Sequence, residues 1–329
     1  MNQKHRWMGW RLPVVAVVLA ELLATATGVY AAESVGVITE IDVRGGLAEV
    51  RRLGLQEWRP AGPLLTLDAG DTIRVSQDAS VAILLSGGRG YIRVNASNSP
   101  LQVPATVPAP EQSQLRRGWV LLEESFKALV RASHDSAQVI LGTRGGASSL
   151  MILTPHDGLV LPDSLVFEWI GSQASRYTIR VVGPAGLVLE RRDIAGTTLV
   201  YPADAMPPIP GTRYQLQVSE GAGPAEKVWF EVVNPARAET VRQDLAELEE
   251  TAGATMSPDT LVAIQVAYLA SQELFADARL RLLAALATQP DEATFHFLLG
   301  HLYGGLGLSE QAVESFGKAR LLARGRSHQ

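Results

Sequence analysis

Residues 293–319 read Ala293-Thr-Phe-His-Phe-Leu-Leu-Gly-His-Leu-Tyr-Gly-Gly-Leu-Gly-Leu-Ser-Glu-Gln-Ala-Val-Glu-Ser-Phe-Gly-Lys-Ala319, and a related spacing of small and large side chains occurs 34 residues earlier. Setting Asp259 on Ala293 places Leu269 on Tyr303, Ala278 on Ala312, Leu282 on Phe316 and Ala285 on Ala319. A period of that length is a helix–turn–helix unit repeated in tandem, because one helix pair cannot bury its apolar face alone and must stack on a neighbour. Small side chains at Ala278 and Ala312 let the paired helices approach closely. Upstream, Asn234-Pro235 opens another helix through Glu250, ending near Gly253, with proline suited to the first helical position. Ser257-Pro258-Asp259 opens the next, so the region 235–325 is expected to be all-α.

Leu299-Gly300, Tyr303, Gly307, Ala312, Phe316 and Ala319 occupy key positions of the tetratricopeptide repeat, and Pro290 closes the first copy, where Val266 stands in place of the usual glycine. The region resembles that family in two copies. Since about three repeats are usually needed for stability, the 235–250 helix is expected to cap the stack, or a second chain to extend it. The resemblance implies a concave groove formed by Thr260, Ala263, Ala267, Thr294, Phe297 and His301, and a protein partner held there. These positions lack the lysine and asparagine set that grips a C-terminal carboxylate in some relatives, which disfavours that ligand class. His296 and His301 are five apart and do not share a helical face as metal ligands spaced by four would, so they are read as solvated or packed side chains.

Toward the N-terminus the hydrophobic period changes from helical to two. Six short strand candidates run through 151–234: Leu165–Trp169, Arg176–Val182, Gly186–Arg191, Thr197–Tyr201, Arg213–Val218 and Lys227–Val233. Turn residues separate them, the spacing expected of a β-sandwich without a disulfide. Trp169 is expected between the sheets, with Phe167, Tyr177 and Tyr214 adding core area rather than an aromatic carbohydrate surface. Thr154-Pro, Gly158, Phe167, Trp169, Tyr177 and Pro210-Gly211-Thr-Arg-Tyr214 resemble the bacterial immunoglobulin-like modules. His156-Asp157 precedes a glycine and is read as a turn, not a catalytic pair.

A second β-rich stretch covers residues 33–97. Val35–Arg44 alternates, Gly45-Gly46 signals a hairpin, and strands follow at Leu47–Leu53, Thr72–Val75, Ser80–Leu85 and Tyr91–Val94. Strands this short and regular argue for a small all-β sandwich or barrel. Val35-Gly-Val-Ile38, Trp58, Leu67-Asp-Ala-Gly-Asp-Thr-Ile-Arg-Val75, Ser80–Leu85 and Gly87-Gly88 resemble the periplasmic domain of the FecR-like family. That family includes iron-citrate signal regulators that sit in the inner membrane and act on a cytoplasmic sigma factor. Only 11 residues precede the apolar segment here, too few for the cytoplasmic domain such signalling needs, so the resemblance is taken to imply the fold alone. Asp68 and Asp71 flank a turn glycine, and aspartate there bonds its own backbone, so both are read as structural.

Between the β regions, 98–150 begins with Pro100, Pro104, Pro108 and Pro110, which reads as an extended linker. An amphipathic helix over Trp119–Val130 follows, with Leu122, Phe126, Leu129 and Val130 on one face, and Arg144-Gly-Gly146 marks a junction.

At the N-terminus, Lys4, Arg6 and Arg11 precede the apolar run Leu12–Ala20, and Val29-Tyr30-Ala31 fits a cleavage site. That layout is a signal peptide over 1–31, which makes the protein exported, periplasmic or extracellular. If uncleaved, the segment is instead a membrane anchor, although Glu21 in its middle is costly there. The net charge of −5 offers no footprint for nucleic acid. The absence of cysteine excludes disulfides, thiolate metal sites and a cysteine nucleophile. No nucleophile elbow, zinc signature, phosphate loop or dinucleotide fingerprint occurs, so neither a catalytic residue, a metal nor a cofactor is assigned. The expectation is a multidomain, non-enzymatic binding or scaffold protein of the bacterial envelope, its helical repeats contacting a protein and its β modules contacting cell-wall polymer or another subunit. The alternative is a membrane-anchored FecR-like sensor.

Overall fold

A computed structural model describes residues 34–43, 45–86, 90–105, 150–163, 165–253 and 256–324, with part of the stretch 118–131. The expected signal peptide at 1–31, the glycine turn at 87–88, the junction at 144–146 and the side chains of Trp119, Leu122, Phe126, Leu129 and Val130 lie outside the described residues. A β-rich N-terminal part is followed by a C-terminal region of five helices.

The first eight strands are β1 (Gly36–Val43), β2 (Ala48–Arg51), β3 (Arg59–Pro60), β4 (Thr66–Leu67), β5 (Thr72–Val75), β6 (Ala79–Leu85), β7 (Gly90–Val94) and β8 (Leu101–Gln102). They form two four-stranded antiparallel sheets, ordered β4-β1-β6-β7 and β3-β2-β5-β8. Alternation sends Ile38, Val81 and Ile83 from one sheet and Val50, Ile73 and Val75 from the other into a shared core. The module runs past residue 97, where the proline-rich stretch was expected to be linker. Leu101 pairs with Ile73 and Val103 is buried, while Pro100 and Pro104 flank an edge strand, where a missing N–H breaks no inner ladder. Asp71 is buried at its turn, accepting from the backbone N–H groups of Leu53 (3.0 Å) and Asp68 (3.0 Å) and from Arg52 (2.6 Å). This is a structural role.

The next eight strands are β9 (Met151–Thr154), β10 (Gly158–Val160), β11 (Val166–Ile170), β12 (Arg176–Gly183), β13 (Gly186–Ala195), β14 (Thr198–Val200), β15 (Arg213–Glu220) and β16 (Ala225–Val232). Five form the sheet β10-β16-β15-β12-β13 and three form β14-β11-β9. Phe167, Trp169, Tyr177 and Tyr214 are all buried, as their alternation requires. The Trp169 ring meets Tyr177 edge-on at 5.3 Å, joining a strand of the small sheet to one of the large sheet. Asp157 adopts a left-handed turn conformation, and its carboxylate accepts from the Trp229 N–H at 2.9 Å.

The helices are α1 (Pro235–Gly253), α2 (Pro258–Ser271), α3 (Phe275–Thr288), α4 (Ala293–Gly305) and α5 (Ser309–Ala323). Ser257 caps α2 by accepting from the Thr260 N–H, and Pro258 occupies its first turn. Gly300 must be glycine for packing rather than for backbone freedom. A Cβ there would lie 2.7 Å from the Phe316 ring, so the missing side chain sets how closely α4 and α5 approach. The α1 helix lies against α2, where the Tyr268 hydroxyl donates to Asp244 at 2.6 Å. The helices do not form a core of their own. Val37, Leu64 and Leu84 of the first β part and Leu161 and Val233 of the second belong to the same buried cluster as Ala263, Ile264, Phe295 and Leu302.

Candidate functional site: the groove between the helices and strand β1

The groove-facing helices are α2 and α4, and the element seated against them is β1. In an ordinary strand Ile38 and Ile41 would face opposite sides, being three residues apart. A β-bulge resolves this: the register with β6 shifts between Ile38 and Glu40, so both isoleucines enter the β core while Thr39 and Glu40 both reach the helices.

At the first turn of α2 the Thr260 hydroxyl lies 2.9 Å from that of Thr39 and 2.9 Å from a Glu40 carboxylate oxygen. A hydroxyl has one proton. Thr260 gives its proton to Glu40, so Thr39 donates to Thr260. All three residues are buried. The other Glu40 oxygen accepts from the Arg93 guanidinium, which also bonds the Tyr91 hydroxyl at 3.0 Å. One unbroken chain of hydrogen bonds thus runs from Thr39 through Thr260 and Glu40 to Arg93, linking α2 to the N-terminal sheet.

Two more carboxylates complete the seam. Asp259 accepts from the Gln289 side chain at 2.6 Å. Burial pushes its carboxyl above the usual range, the Glu40 charge adds to this, and Arg93 opposes it. Glu292 caps α4 by accepting from the Thr294 N–H at 3.1 Å. Burial pushes Glu292 up to about 7, against the lowering effect of its bonds to Thr294, and the charges of Asp259 and Glu40 push the same way as burial. Nearby, the His296 ring donates from Nε2 to the Pro290 carbonyl at 2.8 Å, and burial holds its pKa below the ordinary value.

The six residues expected to line the groove are placed as follows. Thr260, Ala263, Ala267 and Thr294 are buried. Phe297 is half-buried and meets Phe316 edge-on at 5.2 Å. His301 is half-buried and lines a pocket of about 170 Å³ with Ala267, Leu298 and Leu302. The far wall of that pocket is Ala128 and Arg131, from the helical stretch after the proline-rich segment. So the upper groove, around Thr260, is filled by the chain's own β1, and the lower groove, around His301, is partly covered by Ala128 and Arg131.

A second joint lies on α3. Arg279, almost fully buried, pairs with Glu168 of β11 and donates to the Tyr303 hydroxyl at 3.2 Å. Beside it the Asp277 carboxylate accepts from the Leu161 N–H at 3.1 Å. Further out, the exposed pair Arg242–Asp163 (2.5 Å) ties α1 to the second β part. Behind α3, a more open cleft of about 460 Å³ is bounded by Leu245, Val262, Leu280 and Arg281. Among the described residues no group of three His, Cys, Asp or Glu is placed to hold a metal ion, and no helix is long and apolar enough to cross a membrane.

Sequence reasoning named those six residues without what packs against them. Thr39-Glu40 was the available signal, a polar pair interrupting the apolar alternation of β1. Arg279 gave a similar signal, a charge beside the small residue Ala278 that marks a helix contact. The chain matches no protein-family model and no curated protein.

Proposed function

We propose that this chain is an exported, non-enzymatic binding or scaffold protein of the bacterial envelope. In this reading a FecR-like β module, an immunoglobulin-like sandwich and two tetratricopeptide-like helix pairs make up its parts, and the helices contact a protein partner. The observation that carries the reading is how the groove is occupied. Its polar side chains, Thr39, Thr260, Glu40 and Arg93, are bonded to one another across three segments of the chain, β1, β7 and α2, an arrangement suited to fixing geometry. A pocket open to a partner lies beside His301, where apolar side chains (Ala267, Leu298, Phe275) surround a few polar ones, His301, Ser271 and Arg131, the make-up of a small recognition pocket.

The test is site-specific photo-crosslinking in envelope fractions, with the reactive side chain placed at His301, at buried Thr260 and at Leu187, an exposed residue on β13. The reading expects a protein adduct of defined mass at 301 and none at 260 or 187. No adduct at 301, or the same adducts at 187, overturns it.

A further inference from the structure

Between β14 and β15 the chain reads Met206-Pro-Pro-Ile-Pro210, and every residue of that stretch is confined by a proline. The rings of Pro207, Pro208 and Pro210 fix their own φ at about −65°. Met206, Pro207 and Ile209 each precede a proline, whose ring clashes with a helical backbone and drives the preceding residue to extended dihedrals. Together these constraints specify polyproline II, a helix of three residues per turn without internal hydrogen bonds. Burial follows that period. Ala205 and Pro208 turn inward and are half-buried, whereas Met206, Pro207, Ile209 and Pro210 are exposed. The outward rows are thus Met206 with Ile209 and Pro207 with Pro210. Met206 is 71% exposed and Ile209 63%. A contiguous apolar ridge, unlike a single exposed side chain, marks an interaction surface.

Both ends of the ridge are fastened to the sandwich. The Tyr201 hydroxyl donates to the Met206 carbonyl at 2.6 Å, and the Ile209 N–H donates to the Tyr214 hydroxyl at 2.7 Å. Those rings are themselves anchored, Tyr201 edge-on to Phe167 at 6.0 Å and Tyr214 stacked on Phe230 at 5.5 Å. Beyond Pro210 the Thr212 N–H donates to the Ile209 carbonyl at 3.2 Å, and Gly211 sits at φ +73°. Proline second and a positive φ third are the type II turn, which leaves Pro210 at about −60°, +120°, still close to polyproline II.

We propose that this ridge is a docking motif for a protein partner whose groove is lined by parallel aromatic side chains, the kind of groove that takes preformed polyproline II ligands. The Pro207 and Pro210 rings, one turn apart, would seat between the partner's aromatic rings. Its indole N–H or phenol O–H groups would donate to the Pro207 and Pro208 carbonyls, which accept no hydrogen bond among the described residues. Because prolines and tyrosines already hold the backbone, binding orders little further chain, the saving that preorganisation gives. A lipid surface is the poorer occupant, since residues 201–212 hold no lysine or arginine to meet anionic headgroups. The ridge belongs to the β-sandwich and owes nothing to the helix groove, so the inference goes beyond the partner proposed there and either can fail alone.

The test places a photo-reactive side chain at Met206 of the full chain, which leaves all three prolines intact, and irradiates it with envelope fractions. The expected result is a protein adduct that excess oligoproline peptide abolishes and a glycine–serine peptide of equal length does not. The double variant Pro207→Ala/Pro210→Ala is expected to lose that adduct while unfolding at the wild-type midpoint. Ile209→Asp, which keeps every proline and changes only an exposed side chain, is expected to lose it too, and it carries the test alone if the alanine pair disturbs the fold. A lipid adduct, an adduct indifferent to oligoproline, an adduct retained in Ile209→Asp, or no adduct at all overturns the proposal.

Discussion

The two joints by which the helices hold the β-rich part differ in chemistry although both are polar and largely buried. At the α3 joint a guanidinium and a carboxylate from facing elements neutralise each other, with the Tyr303 hydroxyl taking one further donor. At the β1 joint two hydroxyls and the Glu40 carboxylate form a relay that ends on Arg93. A balanced buried pair is costly to break by halves, since removing one partner leaves the other charge desolvated and unpaired. A relay of hydroxyls loses less, because each hydrogen bond is worth about 1 kcal/mol net. One helical region thus carries a charge-paired joint and a hydroxyl-relayed one.

The largest expected effect comes from breaking the charge-paired joint. Arg279→Met strands Glu168 against the helices and is expected to cost about 3 kcal/mol in denaturant unfolding, in the range for a broken buried pair. Next is the pH dependence carried by the half-buried cap residue Glu292. With Glu292 raised to about 7 from 4.5, its contribution to stability is fully present at acid pH and declines as pH rises between those values, levelling off above. Unfolding midpoints measured across that range should show the decline in the wild type and much less of it in Glu292→Gln. Smaller still is Thr260→Val, which keeps the side-chain volume but leaves Thr39 and Glu40 each short of a partner. A loss of about 1–2 kcal/mol is expected by the same unfolding assay. The smallest concerns Arg242→Ala, which removes the exposed pair with Asp163. Its unfolding midpoint should be indistinguishable from wild type, because exposed ion pairs are screened by water and salt.

What was legible in the sequence follows from which interactions are periodic. The 34-residue register fixed the helix pairs, because buried positions such as Ala278, Ala312 and Phe316 recur with the turn of the helix. Alternation likewise located Trp169 and Tyr177 on facing strands. The groove occupant was not legible, because β1 and α2 meet across some 220 residues of chain and no local pattern encodes such a pairing. The bulge that turns both Thr39 and Glu40 toward the helices breaks the very alternation used to find strands. The edge strand β8 was hidden for the converse reason: Pro100 and Pro104 mark a linker by composition, and an edge position is where a strand tolerates them.

The central claim is that the helix groove is filled in cis by β1, and the absence of native cysteine allows a direct test of it. In the double variant Thr39→Cys/Thr260→Cys the two sulfurs would replace hydroxyls now 2.9 Å apart, so mild oxidation should join them within one chain. Intact-mass and non-reducing electrophoretic analysis should then show a monomer that has lost two hydrogens, with no alkylatable thiol remaining. Free thiols after oxidation, or disulfide-linked dimers in place of the internal bridge, would contradict the account.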